Sequence, residues 1–347
     1  MNHPMPPAAL AAVAKSAVPP AILDLLASAK RVWIVPHERP DGDALGAALA
    51  LRSILAQRKI EVAVLSSDAP AKVYDFIPGI SLVQTASPNW DPDAVILVDC
   101  GEVSRTGPVG ELIQALPDGV RRAVIDHHIS NSSNSPLEWI DPSAAATCEM
   151  IALIAIALGT DLAAEHGAIA ETLAAGIIMD TATFQHGNTT QRTLQVAGHL
   201  LDAGASITEI SRRLYRSKPA SQVRLHARVL DRMELADGGA TVWTAMRTTD
   251  LMDLGAAPEE SEGIVDTLAQ VIEADVALFF KEESAATTRL SIRTKERGLD
   301  ATEIASAFQG GGHARAAGAS ISAPLDDAVT TVLGTVASLR AGRGRRN

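Results

Sequence analysis

Between about Ala21 and Thr190, short apolar runs alternate with longer stretches whose apolar residues recur at helical spacing. Arg31–Val35, Glu61–Leu65, Ala94–Val98 and Arg122–Ile125 read as buried strands, and amphipathic segments separate them. Parallel neighbours need a crossover of about a dozen residues, usually a helix, so this alternation predicts a doubly wound, mainly parallel α/β sheet. Ala144–Gly159 and Ala163–Met179 are apolar enough to cover that sheet as helices. Open sheets of this kind bind ligands outside the carboxyl ends of their strands. The residues that follow each apolar run therefore matter most.

Those residues are acidic or imidazole-bearing. His37-Glu38-Arg39-Pro40-Asp41-Gly42-Asp43 follows the first run and leads into Ala44–Leu55, which has helical spacing. Ala94–Val98 ends on Asp99, and Arg122–Ile125 ends on Asp126-His127-His128. Ala175–Met179 leads to Asp180 and Thr181, expected at the same sheet edge. A single Asp after a strand is most often a turn residue or helix cap. Four Asp and two His at one edge suit hard or borderline divalent cations such as Mn²⁺ or Mg²⁺, because no soft sulfur is offered. Six ligands suffice for two ions if one carboxylate bridges. Two ions about 3.5–4 Å apart can activate water and neutralise a phosphoryl group together. Without them, four carboxylates would repel a phosphate.

With 347 residues, 47% hydrophobic and 20% charged, the chain is large enough for two soluble domains. Cys100 and Cys148 lack CxxC spacing, which excludes a thiolate zinc site and a disulfide scaffold and fits a reducing cytoplasm. No apolar run reaches the roughly 20 residues needed to span a bilayer. Met1–Pro20 lacks a basic n-region and a cleavage site, so residues 1–20 read as a disordered or helical lead-in and not a signal peptide. A net charge of −11 opposes wrapping of long duplex nucleic acid. The few aromatic residues are scattered and form no stacking face. Arg340–Arg346 reads as a frayed terminus.

Past the sheet, Thr193–Asp231 reads as helical throughout, with Gly204 as a break and Pro219 as a helix start. The expected organisation is a lead-in at 1–20, a first domain at 21–192, a helical connector at 193–232, a smaller mixed-sheet α/β domain at 233–342 and a tail at 343–347. Strands are expected at Ala240–Met246, Ala274–Lys281 and Arg289–Thr294, with helices near Pro258–Ile272 and Leu325–Leu339. Gly310-Gly311-Gly312-His313-Ala314-Arg315-Ala316-Ala317-Gly318 offers closely approachable backbone amides beside two cationic or donor side chains. Arg293 on the neighbouring predicted strand could grip a phosphate bidentately.

Taken in order, His37…Asp41-Gly42-Asp43, Asp99, Asp126-His127-His128 and Gly176…Asp180-Thr181 resemble the motifs of the DHH phosphoesterase superfamily. Gly310–Gly318 resembles the GGGHxxAAG signature of the DHH-associated domain, and Ser291-Ile292-Arg293 its S-x-R element. The pairing is similar to NrnA-type enzymes, which degrade short oligoribonucleotides (nanoRNA) and dephosphorylate adenosine 3′,5′-bisphosphate (pAp). That resemblance implies one metal on His37, Asp41 and Asp99, and a second on Asp43, Asp99, His127 and Asp180, with Asp99 bridging and catalytic. It implies Mn²⁺, with Mg²⁺ or Co²⁺ as alternatives. His128 would contact the substrate phosphate or move a proton. Gly311, Gly312, His313, Arg315 and Arg293 would bind substrate, closure through the connector would gate the cleft, and a homodimer would form through the first domain. Ala47 replaces a frequent Ser, and Gln185-His186 replace aromatic or basic residues, which leaves base and length preference open. The closest alternative is a linear or cyclic dinucleotide phosphodiesterase acting on pApA, pGpG or c-di-AMP. A RecJ-like exonuclease would be expected to carry a further module, a family II pyrophosphatase would lack Gly310–Gly318, and a silent nucleotide-binding regulator would not need an intact ligand set.

Overall fold

A computed structural model describes residues 6–128, 135–296 and 298–344. Met1–Met5 of the lead-in and Arg345 and Arg346 of the tail lie outside the described residues. The chain divides into two compact units, Met1–Ser217 and Lys218–Asn347.

The first unit is built on strands β1 (Arg31–Val35), β2 (Glu61–Leu65), β3 (Val83–Gln84), β4 (Ala94–Val98), β5 (Arg121–Asp126) and β6 (Glu138–Ile140). All of their pairings are parallel, in the order β3-β2-β1-β4-β5-β6. Side chains alternate across the sheet, and both faces are buried. Val32, Ile34, Ile96, Val98 and Ile125 join one core, while Trp33, Val35, Val95, Leu97 and Val124 join the other. A fully buried aliphatic such as Ile96 contributes about 1.5–3 kcal/mol relative to exposure.

The first face is covered by α1 (Ala8–Ala17), α2 (Pro20–Ser28), α3 (Gly42–Gln57), α5 (Thr147–Ala157) and α6 (Ala164–Asp180), and the second by α4 (Val109–Ala115). The lead-in takes the helical of its two expected forms: α1 buries Leu10 and Ala14 fully, and Pro20 begins α2, where its missing N–H costs nothing. The expected connector is divided between the units. In α7 (Gln191–Asp202) and α8 (Ile207–Tyr215), Val196, Leu200 and Ile210 pack into the first core. In α9 (Ala220–Asp231), Leu225 and Val229 pack in the second unit. Their apolar stripes, not their position between motifs, decide where they belong.

The second unit carries β7 (Glu234–Ala236), β8 (Thr241–Met246), β9 (Val276–Ser284), β10 (Thr287–Thr294), β11 (Gly311–His313) and β12 (Ala316–Ile321), ordered β11-β12-β10-β9-β8-β7. The β8–β9 pair is parallel and the others are antiparallel. Leu278, Phe280, Leu290 and Ile292 face α12 (Ala301–Ser306) and α13 (Leu325–Gly344). Ala277 and Phe279 face α9, α10 (Thr248–Leu254) and α11 (Ile264–Leu268). The helix expected near 258–272 is a 3₁₀ turn at Pro258–Ser261 followed by the short α11. Among the described residues no single helix is long and apolar enough to cross a membrane.

Candidate metal centre

The strand order reverses between β1 and β4, the switch point where a doubly wound sheet opens a crevice. His37 follows β1 there, and Asp99 follows β4 directly. Asp126 closes β5, so His127 and His128 emerge beside them. Asp180 reaches the same edge from the helix expected before it: it is the last residue of α6. The run before it is apolar because the helix is buried on nearly every side, a pattern that also fits a buried strand.

Asp41 caps α3, its Oδ1 accepting from the backbone N–H of Asp43 (3.0 Å) and Ala44 (3.1 Å). Asp43 lies in the first turn of that helix and is fully buried. Its two oxygens accept from the N–H of Thr147 (2.6 Å) and Cys148 (2.9 Å) at the start of α5. Room for it depends on Gly176, where a Cβ would stand 2.4 Å from Cys148 Sγ and 2.6 Å from Asp43 Oδ1. Asp99 is buried and adopts φ of +55°, a left-handed conformation that L residues other than Gly and Asn/Asp rarely accept. The Thr147 hydroxyl donates to its Oδ1 at 3.0 Å.

Around Asp99 the imidazoles are arranged by their other nitrogens. His37 Nδ1–H donates to the Glu38 carbonyl (2.7 Å), which turns Nε2 to 3.6 Å from Asp99 Oδ2. His127 Nδ1–H donates to the Ala144 carbonyl (3.3 Å), and its Nε2 lies 3.5 Å from Asp99 Oδ1 and 3.2 Å from Asp180 Oδ2. Both rings therefore present the nitrogen that a metal would take, with the second shell that such ligands commonly have. In His128 it is Nδ1 that faces the cluster: its Nδ1–H donates to Asp126 Oδ1 at 2.7 Å and lies 3.5 Å from Asp99 Oδ1, and Nε2 makes no hydrogen bond among the described residues.

Among the described residues, ligand atoms converge in three overlapping groups, each within 4.8 Å: His37, Asp41 and Asp99; Asp43, His127 and Asp180; and Asp99, His127 and His128. The electrostatics show how crowded the negative charge is. Burial, and then the charges of Asp99 and Asp180, push the Asp41 carboxyl up to about 6. Asp43 and Asp180 are raised chiefly by burial. For Asp99 burial acts upward, but the hydrogen bond from His37 and the surrounding imidazoles outweigh it and hold the carboxyl low. Burial opposes protonation of His127, yet the Asp180 hydrogen bond and neighbouring carboxylates carry it up to about 10. His128 is raised first by its bond to Asp126. Divalent cations would supply the positive charge that this oxygen-and-imidazole set calls for.

In the second unit, Gly310–Gly318 is a β-hairpin, not the loop its composition suggests, with Gly311 opposite Gly318 and His313 opposite Ala316. Only part of the triple glycine is sterically required. Gly312 has φ of +147°, and a Cβ there would stand 2.5 Å from the Ala316 carbonyl, whereas a Cβ on Gly311 would meet open space. His313 and Arg315 are exposed. The Arg315 guanidinium donates to the carbonyls of Lys295 (2.8 Å) and Glu296 (3.2 Å). Arg293 donates through Nε to Asp266 at 2.8 Å, so that carboxylate already occupies one edge of its fork.

Sequence patterns missed Asp126 as the partner of His128, and missed Thr147 and Glu149 altogether. Glu149 did leave a signal: it is the one charge in the otherwise apolar Thr147–Ala157, and a buried charge needs partners.

Residues 31–177 match the family model described as "DHH family, N-terminal domain", and residues 242–338 match the "DHHA1 domain". The chain belongs to the DHH phosphoesterase family, in the form that carries a DHHA1 domain. It is 32% identical over 307 residues to the bifunctional oligoribonuclease and PAP phosphatase NrnA of Thermus thermophilus, covering 88% of this chain and 89% of that one. It is 30% identical to the NrnA of Bacillus subtilis, covering 82% and 87%. Among solved structures it is similar to an exopolyphosphatase-related protein from Bacteroides fragilis, with a TM-score of 0.82 at 22% identity over 92% of this chain and 97% of that one. That last likeness speaks for the fold.

Proposed function

We propose that this protein is a two-metal phosphoesterase that hydrolyses short oligoribonucleotides to mononucleotides and pAp to AMP. The observation that carries the chemistry is the convergence of His37, Asp41, Asp43, Asp99, His127 and Asp180 at the switch point of the sheet. The substrate class rests on the oligoribonuclease and PAP phosphatase relatives, which span most of the chain.

In this reading His37, Asp41 and Asp99 hold one divalent ion, and Asp43, Asp99, His127 and Asp180 hold the other, with Mn²⁺ the expected metal. Bound there, the ions supply Lewis acidity toward a phosphoryl oxygen and a nucleophile from water near neutral pH. Asp99 keeps the two positions in register, since its Oδ2 faces His37 and its Oδ1 faces His127. His128, fixed through Nδ1 by Asp126, turns Nε2 toward a phosphoryl or leaving-group oxygen to bind it or hand it a proton. His313, Arg315, Arg293 and the amides of Gly311 and Gly312 are assigned to substrate phosphate. A cytoplasmic location fits two buried, unpaired thiols.

The test is a side-by-side assay with Mn²⁺ on pAp, a short oligoribonucleotide, pApA, pGpG, c-di-AMP and a long single strand. Rapid turnover of pAp and the short strand, abolished by chelation, is expected. Preference for the long strand would overturn the assignment, and preference for c-di-AMP would move it to the cyclic dinucleotide class.

A further inference from the structure

The ligands assigned to the two ions are held in different ways. His37 is oriented by the carbonyl of its neighbour Glu38, and Asp41 by the first amides of its own helix. Both are arranged locally. The ligands of the other ion come from four separate stretches of chain: Asp43, Asp99 and His127 hydrogen-bond directly to residues 144–148, the turn and first residues of α5, and Asp180 is linked to it through Asn188.

The Ala144 carbonyl accepts from His127 Nδ1–H. The Ala145 carbonyl accepts from the Asn188 side-chain amide (2.9 Å), which also donates to the Asp180 carbonyl (3.2 Å). Thr147 and Cys148 give their backbone N–H groups to Asp43, and the Thr147 hydroxyl goes to Asp99 Oδ1. Asp43, Asp99, His127 and Asp180 are thereby tied to a single stretch of backbone. That stretch is itself anchored from below. Fully buried Glu149 accepts from the Ala145 N–H (3.1 Å), the Thr193 hydroxyl (2.8 Å) and Arg192 Nε (2.5 Å). Arg192 Nη2 continues to Asp141 at 2.9 Å, on the chain leading into the turn.

We propose that the turn 144–148 is the positioning element for one ion alone, that of Asp43, Asp99, His127 and Asp180, and that Thr147 is the residue that sets it. Thr147 acts through Asp99. Its hydroxyl occupies one lone pair of Oδ1, the oxygen on the His127 side, and so aims the remaining lone pair of that oxygen, while Oδ2 is the oxygen that faces His37. Outer-shell partners of this kind typically change metal affinity by about 10- to 100-fold. The inference rests on the two-metal reading above.

The experiment is a Mn²⁺ titration of the full chain by calorimetry and electron paramagnetic resonance, in the native protein and in Thr147→Val, Thr147→Ser and Asn188→Ala. Thr147→Val should weaken one of two binding equilibria by roughly 10- to 100-fold and leave the other nearly unchanged. Thr147→Ser, which keeps the hydroxyl, should restore it. The weakening should persist when His37→Ala removes a ligand of the other ion. Asn188→Ala, an exposed change that keeps the assay informative if the valine variant does not fold, should weaken the same equilibrium. Equal weakening of both ions, no weakening, or failure of serine to restore binding would overturn the proposal while leaving the two-metal reading standing. A native protein that takes up no Mn²⁺ would defeat that reading first.

Discussion

The two six-stranded sheets spend their residues differently. The parallel sheet of the first unit is sealed on both faces, and its crossovers bring side chains from β1, β4, β5 and α6 to one carboxyl edge. The largely antiparallel sheet of the second unit ends in the short β11–β12 hairpin, which offers backbone amides, His313 and Arg315 at an exposed edge. Parallel topology gathers charged groups from far apart in sequence and buries them; a hairpin presents what nine consecutive residues already contain. Chemistry that needs six converging ligands suits the first plan, and recognition of an anion suits the second.

The sharpest way to break this contrast is Asp99→Asn, which keeps shape and removes charge at the ligand proposed to be shared. Phosphate release should fall by roughly a thousandfold or more, the scale on which losing a preorganised electrostatic group is felt. A fully active Asp99→Asn protein retaining two ions would sink the metal assignment. The second unit should respond in another parameter. Gly312→Ala forces a Cβ against Ala316 and Ala317 and should raise KM roughly 10- to 100-fold through misplaced donors, with metal stoichiometry intact. Gly311→Ala, whose Cβ meets nothing, should change stability by less than about 0.5 kcal/mol. Loss of metal in Gly312→Ala would erase the division between the units.

A modest effect on stability tests the wall of the first unit. Burial acts to raise the Asp141 carboxyl, but the Ser143 hydroxyl and Arg192 outweigh it and hold the value below the ordinary 3.8. A depressed carboxylate stabilises the fold above its unfolded value, and that stability fades as pH falls through the folded one. Asp141→Asn should therefore cost about 1 kcal/mol in thermal unfolding at pH 7, shrinking to nothing in strong acid. A cost independent of pH would show that the charge is immaterial there.

Much of the first sheet was legible because β1, β2, β4 and β5 are unbroken apolar runs ended by acidic, imidazole or turn residues. The edge strands β3 and β6 span two and three residues, too short for any periodicity to register. The candidate site was legible as a set of residue types, and its second shell was not. Thr147 meets Asp99 across 48 positions and Asp43 across 104, and neither pairing leaves a local pattern. The helix that ends on Asp180 was legible from its length and apolar run, but nothing local tells which ring Asp180 will meet. The glycine string shows the reverse: its composition suggests freedom, yet six of its nine residues pair in a ladder.

Asp99 bends its backbone into a left-handed turn before it does anything else. Glycine would sit there more comfortably, by roughly 1 kcal/mol. A search for thermostable variants that scored backbone strain alone would thus favour Asp99→Gly, and would discard the carboxylate that meets the Thr147 hydroxyl and the His37 and His127 rings. At this position durability and usefulness are rival goods.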